Sequence, residues 1–309
     1  MRRRDPRFAL IGFLVILIAL VVSPIPGTAR APEYFDPALL VEAAWLDENQ
    51  GHPALLIVDF GRDSYDYDEG HIPGAVFVDA EWIAAEIDGV PGMLAPIDRV
   101  VDVLEQVGVG DATTVVIYDA GTGLWASRLL WVLDFLGHRD ARLLNGGLAR
   151  WVEEGREISA EVPEVAAGAL TPRVDLSVLA TKDWILANLE TADVTILDAR
   201  SLPEYTGEDA QAMRGGHIPG SVNIDWVTAL TEDEAPVFLP ADELRSVFEQ
   251  AGVTPDLEIV TYCQGGVRAA HTYLALKLLG YPRVRMYDGS WVEWGNDSLV
   301  PVVEGGLRE

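Results

Sequence analysis

The sequence predicts an α/β protein built from two tandem domains, each a parallel sheet with helices on both faces. Three observations lead there. The chain has 309 residues, enough for about two domains. It repeats a set of short motifs in the same order. And each half alternates short β-rich runs with helical ones, the pattern of a parallel sheet covered on both sides. Apolar residues make up 49% and charged residues 23%, so real cores can be buried. A disordered tail, a fibre and a disulfide-stapled miniprotein are excluded.

The repeat starts with a strand-like run ending in aspartate, Ala54 to Asp59 in the first half and Val194 to Asp198 in the second. His71-Ile72-Pro73-Gly74 follows in one half and His217-Ile218-Pro219-Gly220 in the other. Next come Val115-Val116-Ile117-Tyr118 and Ile259-Val260-Thr261-Tyr262, each leading through a glycine-containing loop into an apolar helical stretch, Leu124–Leu136 and Ala269–Leu279. Asn145-Gly146-Gly147 with Trp151 is matched by Asp288-Gly289-Ser290 with Trp294. The three motif pairs lie 146, 144 and 143 residues apart, so the repeating unit is a whole domain rather than a solenoid turn. In the second half Thr195–Asp198, Glu258–Tyr262 and Val284–Tyr287 are the clearest strands. Sheets of this kind carry ligand sites beyond the carboxyl ends of their strands. Glu153–Arg173, with Pro163, Gly168, Pro172 and several alanines, has the composition of a linker. The expected divisions are a first domain over 33–157, a linker over 158–178 and a second domain over 179–305.

The first 29 residues stand apart. Arg2, Arg3, Arg4 and Arg7 precede an apolar run from Phe8 to Val22, and Pro24 and Pro26 end any helix. Fifteen helical residues span roughly 22 Å, short of the ~30 Å hydrocarbon core. A basic start, a short apolar centre and the small residues Gly27 and Ala29 read as a secretory signal cut before Arg30. The expected destination is outside the cytoplasm, a periplasm, with an uncleaved membrane anchor as the alternative.

The net charge of −27 repels phosphate backbones, so nucleic acid is not an expected partner. The single cysteine, Cys263, excludes an intrachain disulfide and a structural zinc site made of thiolates. It opens the segment Cys263-Gln264-Gly265-Gly266-Val267-Arg268, directly after a buried strand and before a helix. A sulfur there meets loop N–H groups and the positive end of a helix dipole. Arg268, the loop's only cation, adds a full charge, and all three favour the thiolate. Gly265 and Gly266 permit the backbone angles of a tight anion-binding turn. A lone cysteine is otherwise a buried structural residue, and the strand–Cys–Gly–Gly–Arg–helix context argues for a catalytic one.

In these segments the chain resembles the tandem-domain rhodaneses, a sulfurtransferase family. The resemblance covers about residues 33–305. It rests on the duplicated acidic strand and His-Ile-Pro-Gly segments, the Cys263–Arg268 loop, and Asp288-Gly289-Ser290-Trp291. It implies two rhodanese-like domains and no cofactor or metal. It also implies that Cys263 takes a sulfane sulfur from thiosulfate or a related small-molecule donor, becomes a persulfide, and passes the sulfur to cyanide or another thiophilic acceptor. Gln264, Gly265, Gly266, Val267, Arg268 and Arg200 are the residues it assigns to substrate binding; for Arg200 the Asp-x-Arg pattern with Asp198 points first to a salt bridge that fixes the loop region, with direct anion contact as the other role. Asp119 stands where the second half has Cys263. A carboxylate forms no persulfide, so the first domain is expected to be inactive, with Asp119 capping a helix, bonding its loop, or closing the site at the domain interface.

His71 and His217 fall in a turn segment that is structural in the family. His271 could face the site, core or solvent. Two departures bear on the donor. Glu204 precedes Tyr205 where some thiosulfate sulfurtransferases carry an arginine, and their active loops hold two cations. The neutral Gly-Ser loop of mercaptopyruvate sulfurtransferases is also absent, so both donors stay open. Cysteine phosphatases and arsenate reductases place five residues between cysteine and arginine; four here make a narrower cradle, better for one sulfur than for a tetrahedral oxyanion. A non-enzymatic sulfur-binding module would not need the thiolate.

Overall fold

The computed structural model describes residues 34–306; the segment read as a secretory signal, 1–29, lies outside the described residues. The first half contains strands β1 (Leu40–Val41), β2 (Leu55–Gly61), β3 (Ala75–Asp79), β4 (Ala84–Ile87), β5 (Val90–Leu94), β6 (Thr114–Tyr118) and β7 (Ala141–Leu144). Its helices are α1 (Ala43–Asn49), α2 (Tyr65–Glu69), α3 (Ile97–Gln106), α4 (Leu124–Phe135) and α5 (Gly147–Glu153). The second half has β8 (Leu179–Ala180), β9 (Val194–Asp198), β10 (Val222–Asn223), β11 (Glu258–Tyr262) and β12 (Val284–Tyr287). Its helices are α6 (Lys182–Asn188), α7 (Leu202–Thr206), α8 (Ala241–Gln250), α9 (Val267–Leu278) and α10 (Ser290–Trp294).

Both five-stranded sheets are parallel and share one topology, β1-β7-β6-β2-β3 and β8-β12-β11-β9-β10. The register brings Asp59 opposite Tyr118 and Asp198 opposite Tyr262 at the carboxyl ends of the central strands. The loops after β6 and β11 therefore occupy equivalent positions at the carboxyl end of each sheet.

The helices following those loops are apolar on nearly every face, as a helix enclosed by protein must be. Ala126 through Leu133 are all buried in α4, and Ala269 through Leu276 in α9. The two helices pack on each other, and one continuous core joins Leu129, Trp131 and Leu133 to Leu274, Leu276 and Leu278. Each such side chain contributes about 1.5–3 kcal/mol by leaving water. Tyr273 adds a hydrogen bond across this contact, its hydroxyl donating to Asp134 at 2.6 Å.

The second helix begins at Val267, two residues before the expected start at Ala269. Gly266 ends the loop with φ +83°, so Val267 and Arg268 form the first turn of α9 rather than loop. The histidines of the repeated segment have the same surroundings in both halves. His71 stacks on Tyr67 and His217 on Tyr205, each with Nδ1 2.8 Å from the carbonyl of that tyrosine. Each also pairs its backbone with the tail that follows its domain, at Ser159 and Val303. Their role is structural. Residues 154–175 run without helix or strand and bond back to the first half, Gly168 to Glu105, Asp111 to Ala169, and Arg173 to Leu136.

The hairpin β4–β5 is reduced in the second half to a single antiparallel bridge, Leu230 with Phe238. Asp88 and Gly89 turn it with φ of 52° and 81°, positive at both positions, as the Asp-Gly dipeptide favours. It reaches the second half, where Leu94 donates its N–H to Asp288 at 2.8 Å.

Candidate active site

Cys263 follows the last residue of β11 and is 1% exposed. Its Sγ accepts the N–H of Gly266 at 3.1 Å. Only glycine fits at 266, because φ is positive and a side-chain Cβ would lie 3.0 Å from Arg128 and 3.2 Å from Asp288. The rest of the loop is pinned to α10. Cys263 donates its N–H to Ser290 Oγ at 3.2 Å, and the carbonyls of Cys263 and Gln264 accept from Trp291 and Val292, both at 2.9 Å. Ser290 holds a left-handed φ of 49°, which costs a non-glycine residue of order 1 kcal/mol and persists where surrounding contacts enforce it. Its hydroxyl both receives the Cys263 N–H and donates to Tyr287 O at 2.8 Å.

Arg268 is not the free cation the sequence suggests. Both of its terminal nitrogens bond Glu204, each at 2.7 Å, and the Glu204 side chain is only 9% exposed. Ser201 closes a capping box on the same carboxylate. Burial pushes the Glu204 carboxyl up, but the Arg268 and Ser201 bonds outweigh it and hold the group at about 2. Glu204 therefore neutralises Arg268.

Arg200 is likewise withdrawn, and its assignment to direct substrate contact does not match its setting. It is 0% exposed and forks onto Asp198, with Nη2–Oδ2 at 2.6 Å, while also donating to Gly216 O. Its guanidinium lies 4.4 Å from the ring centre of Trp291. With no surface to offer a ligand, it fixes the end of β9 against α10.

Gln264 donates to Gln211 O at 2.9 Å, and its Oε1 is buried without a protein partner. Gly265 and Val267 face a cavity of about 470 Å³ whose other walls come from the first half: Phe60, Arg62, Ala84, Gly92, Trp125 and Arg128. A Cβ built on Gly265 would meet nothing within 4 Å. Arg128 pairs with Asp288 at 2.6 Å behind the loop, and Arg62 pairs with Glu81 at 3.4 Å on the rim. A larger cleft of about 1,030 Å³, between the β4–β5 hairpin and α10, contains none of residues 263–268. His271 faces the core, fully buried and stacked on Phe238, and burial pushes its imidazole down to about 3.

In the first half the equivalent loop is filled by its own side chain. Asp119 accepts four backbone N–H groups, from Gly121 and Gly123 at 2.9 Å, Trp125 at 2.8 Å and Ala126 at 3.3 Å. Its expected roles of capping the helix and bonding its loop are both realised. The path from Asp119 to the first residue of α4 is one residue longer than from Cys263 to α9, so Trp125 falls at the helix position of Arg268.

A rhodanese-like domain model matches twice, over residues 42–154 and 181–297. The chain belongs to the rhodanese family. A thiosulfate sulfurtransferase of Azotobacter vinelandii is 40% identical over 264 residues, 85% of this chain and 96% of the relative. The sulfur carrier protein TtuD of Thermus thermophilus is 38% identical over 88% of this chain and 99% of its own. Among solved structures, the 3-mercaptopyruvate sulfurtransferase SseA of Escherichia coli superposes with a TM-score of 0.74 at 30% identity, covering 82% of this chain and 98% of SseA. A persulfide-bearing form of EanB bound to ergothioneine gives 0.79 at 25% identity, covering 88% of this chain and 72% of EanB.

In this rhodanese, sequence reasoning missed three features of the site. Ser290 was visible only as a repeat element; its alignment with Gly147, which has φ 53°, was the available signal. Trp125 and Arg128 enter through the packing of α4 on α9, which no local pattern announces. Among the described residues no cluster of three or more His, Cys, Asp or Glu is arranged to hold a metal.

Proposed function

We propose that this chain is a sulfurtransferase in which Cys263 carries the sulfur. The observation that supports this best is the Cys263 sulfur itself, bonded to the Gly266 N–H at the amino end of a twelve-residue helix, in a loop whose Gly265 borders a cavity. N–H groups and the helix dipole favour negative charge there, on the thiolate and on the outer sulfur of a persulfide. The thiolate attacks the sulfane sulfur of thiosulfate, the donor's S–S bond breaks, and sulfite leaves with that electron pair. Cyanide or another thiophile then takes the outer sulfur, and the thiolate returns. Gln264, Gly265, Gly266 and Val267 supply the backbone of the cradle. Arg268 and Arg200 are positioning residues, held by Glu204 and Asp198.

Thiocyanate release from thiosulfate and cyanide tests the reading. Wild-type chain should turn over, and Cys263→Ser should lose about 10³-fold or more. Turnover by the serine variant at the wild-type rate overturns the assignment.

Residues 1–29 direct export in the same proposal, on the strength of their basic start and short apolar run. Among the described residues no helix is long and apolar enough to cross a membrane. N-terminal sequencing of the product made in cells should read from near Arg30; an intact Met1 on a membrane-bound product replaces the signal with an anchor.

A further inference from the structure

The charges around Cys263 have an order that a site built for a dianion would not need. Arg268 is the cation carried by the segment that Cys263 opens. Burial opposes its charge, but Glu204 and then the Cys263 sulfur outweigh burial, so the guanidinium feels the reacting atom. Yet its two terminal nitrogens are spent on Glu204. Arg200 is spent on Asp198, and Arg128 on Asp288. A third carboxylate, Asp225, is half-buried and within the field of Arg268, Glu204 and Asp198. Around the loop, Arg200 and Arg268 thus face Asp198, Glu204 and Asp225, before the thiolate is counted. What attracts an anion is the dipole of the loop and of α9, which acts over the first turn only. A net cation, which would hold a double charge more strongly than a single one, is missing from this set.

We infer that Glu204 is the specificity-determining residue of this site, masking Arg268 so that the cradle favours a sulfane donor of low charge, an alkyl persulfide, over thiosulfate. This rests on Cys263 being the sulfur carrier. The step balances without a further reactant. The Cys263 thiolate attacks the terminal sulfur of R–S–SH, the donor's S–S bond breaks, R–S⁻ leaves with the electron pair, and the proton stays on the sulfur now bonded to Cys263. With thiosulfate the same attack brings a dianion toward a thiolate, while Arg128, Arg200 and Arg268 each already have a carboxylate partner. Glu204 acts through Arg268 and touches neither donor.

The test is the ratio of kcat/KM for thiosulfate to that for the hydropersulfide of 2-mercaptoethanol, which carries at most one charge. Glu204→Gln keeps an oxygen for Arg268 and removes the charge. The ratio should rise about tenfold. Thiosulfate kcat/KM in this variant should fall with added salt, as attraction by an unmasked cation does, whereas wild type should stay level or rise. Arg268→Gln, which leaves Glu204 uncompensated, should move the ratio the other way, by about tenfold. A general loss of packing would lower both donors together and leave the ratio in place. An unchanged ratio in Glu204→Gln, or a steep fall with salt in wild type, overturns the inference while leaving Cys263 as the carrier. If the Glu204→Gln variant fails to fold, the wild-type salt profile and Arg268→Gln still decide. Failure of wild type to take sulfur from either donor overturns both readings.

Discussion

The loops after β6 and β11 leave equivalent strands and enter twelve-residue helices, yet they treat the same ring of N–H groups in opposite ways. In the first half, Asp119 brings two oxygens to four N–H donors and satisfies the loop from within. In the second, a single sulfur takes the Gly266 N–H, and Gly265 borders open space. The differences continue around each loop. Gly61 stands at the position of Arg200, Trp125 at that of Arg268, and Gly147 at that of Ser290. The aspartate of β2 thereby lacks the arginine that holds the aspartate of β9. Burial pushes the Asp59 carboxyl up to about 6, with Asp119 adding to it, whereas Asp198 is clamped at 2.6 Å. The first half satisfies its own loop and brings Trp125, Arg128 and the β4–β5 hairpin up to the second. The lesson is that one ring of loop N–H groups can be filled by an internal carboxylate or left facing a single sulfur.

The comparison breaks most sharply if the nucleophile can be moved. In Cys263→Ser/Asp119→Cys, thiocyanate release should remain about 10³-fold or more below wild type. The first loop is one residue longer, carries Trp125 for Arg268, and has no Ser290 to hold the cysteine N–H. Restored turnover would show that the two loops are interchangeable.

Acidity separates the halves next. The raised carboxyl of Asp59 favours the folded state below its unfolded value of 3.8, and that contribution is lost as pH rises through about 6. Asp59→Asn, neutral throughout, should therefore gain stability over wild type across that window, by up to about 3 kcal/mol at 1.36 kcal/mol per unit. Glu204 runs the other way: its contribution is full above 4.5 and lost as pH falls through about 2. Urea melts from pH 3 to pH 8 check both signs. A gain for Asp59→Asn that is largest at the acid end would contradict the assignment.

The smallest expected effect lies at the paired left-handed positions. A Cβ on Gly147 would meet Asp119 O at 2.4 Å and Gly121 N at 3.1 Å, so Gly147→Ala should cost about 1–3 kcal/mol in a thermal melt. Ser290→Gly relieves its strained φ while losing the Cys263 bond. Its stability should change by less than about 1 kcal/mol, and the loss should show instead as a several-fold drop in kcat. Equal destabilisation by both substitutions would mean that Ser290 serves the fold rather than Cys263.

How far the sequence disclosed this depends on the distance between partners. The repeat, the central strands and the strand–loop–helix around Cys263 are contiguous patterns, and they appear where spacing and periodicity put them. Glu204 and Arg268 are 64 residues apart in the chain, and only the fold makes them a pair. Reading Glu204 as a departure was sound, but its consequence, a masked cation, was not visible. The Asp-x-Arg pattern pointed to the salt bridge between Asp198 and Arg200, which is formed, but not to the complete burial of both side chains that leaves Arg200 no surface for anion contact. The Asp88-Gly89 turn was legible in principle, since that dipeptide between apolar residues is a strong hairpin signal. Its reach to Asp288 was not.

The measurement that bears most directly on the whole account is intact mass, with peptide mapping, of the chain after incubation with the hydropersulfide or thiosulfate. The account predicts a gain of one sulfur atom, located on the peptide holding Cys263, reversed by cyanide, retained in Asp119→Ala and absent in Cys263→Ser. A sulfur gained by Cys263→Ser, or none gained by wild type from either donor, would contradict it.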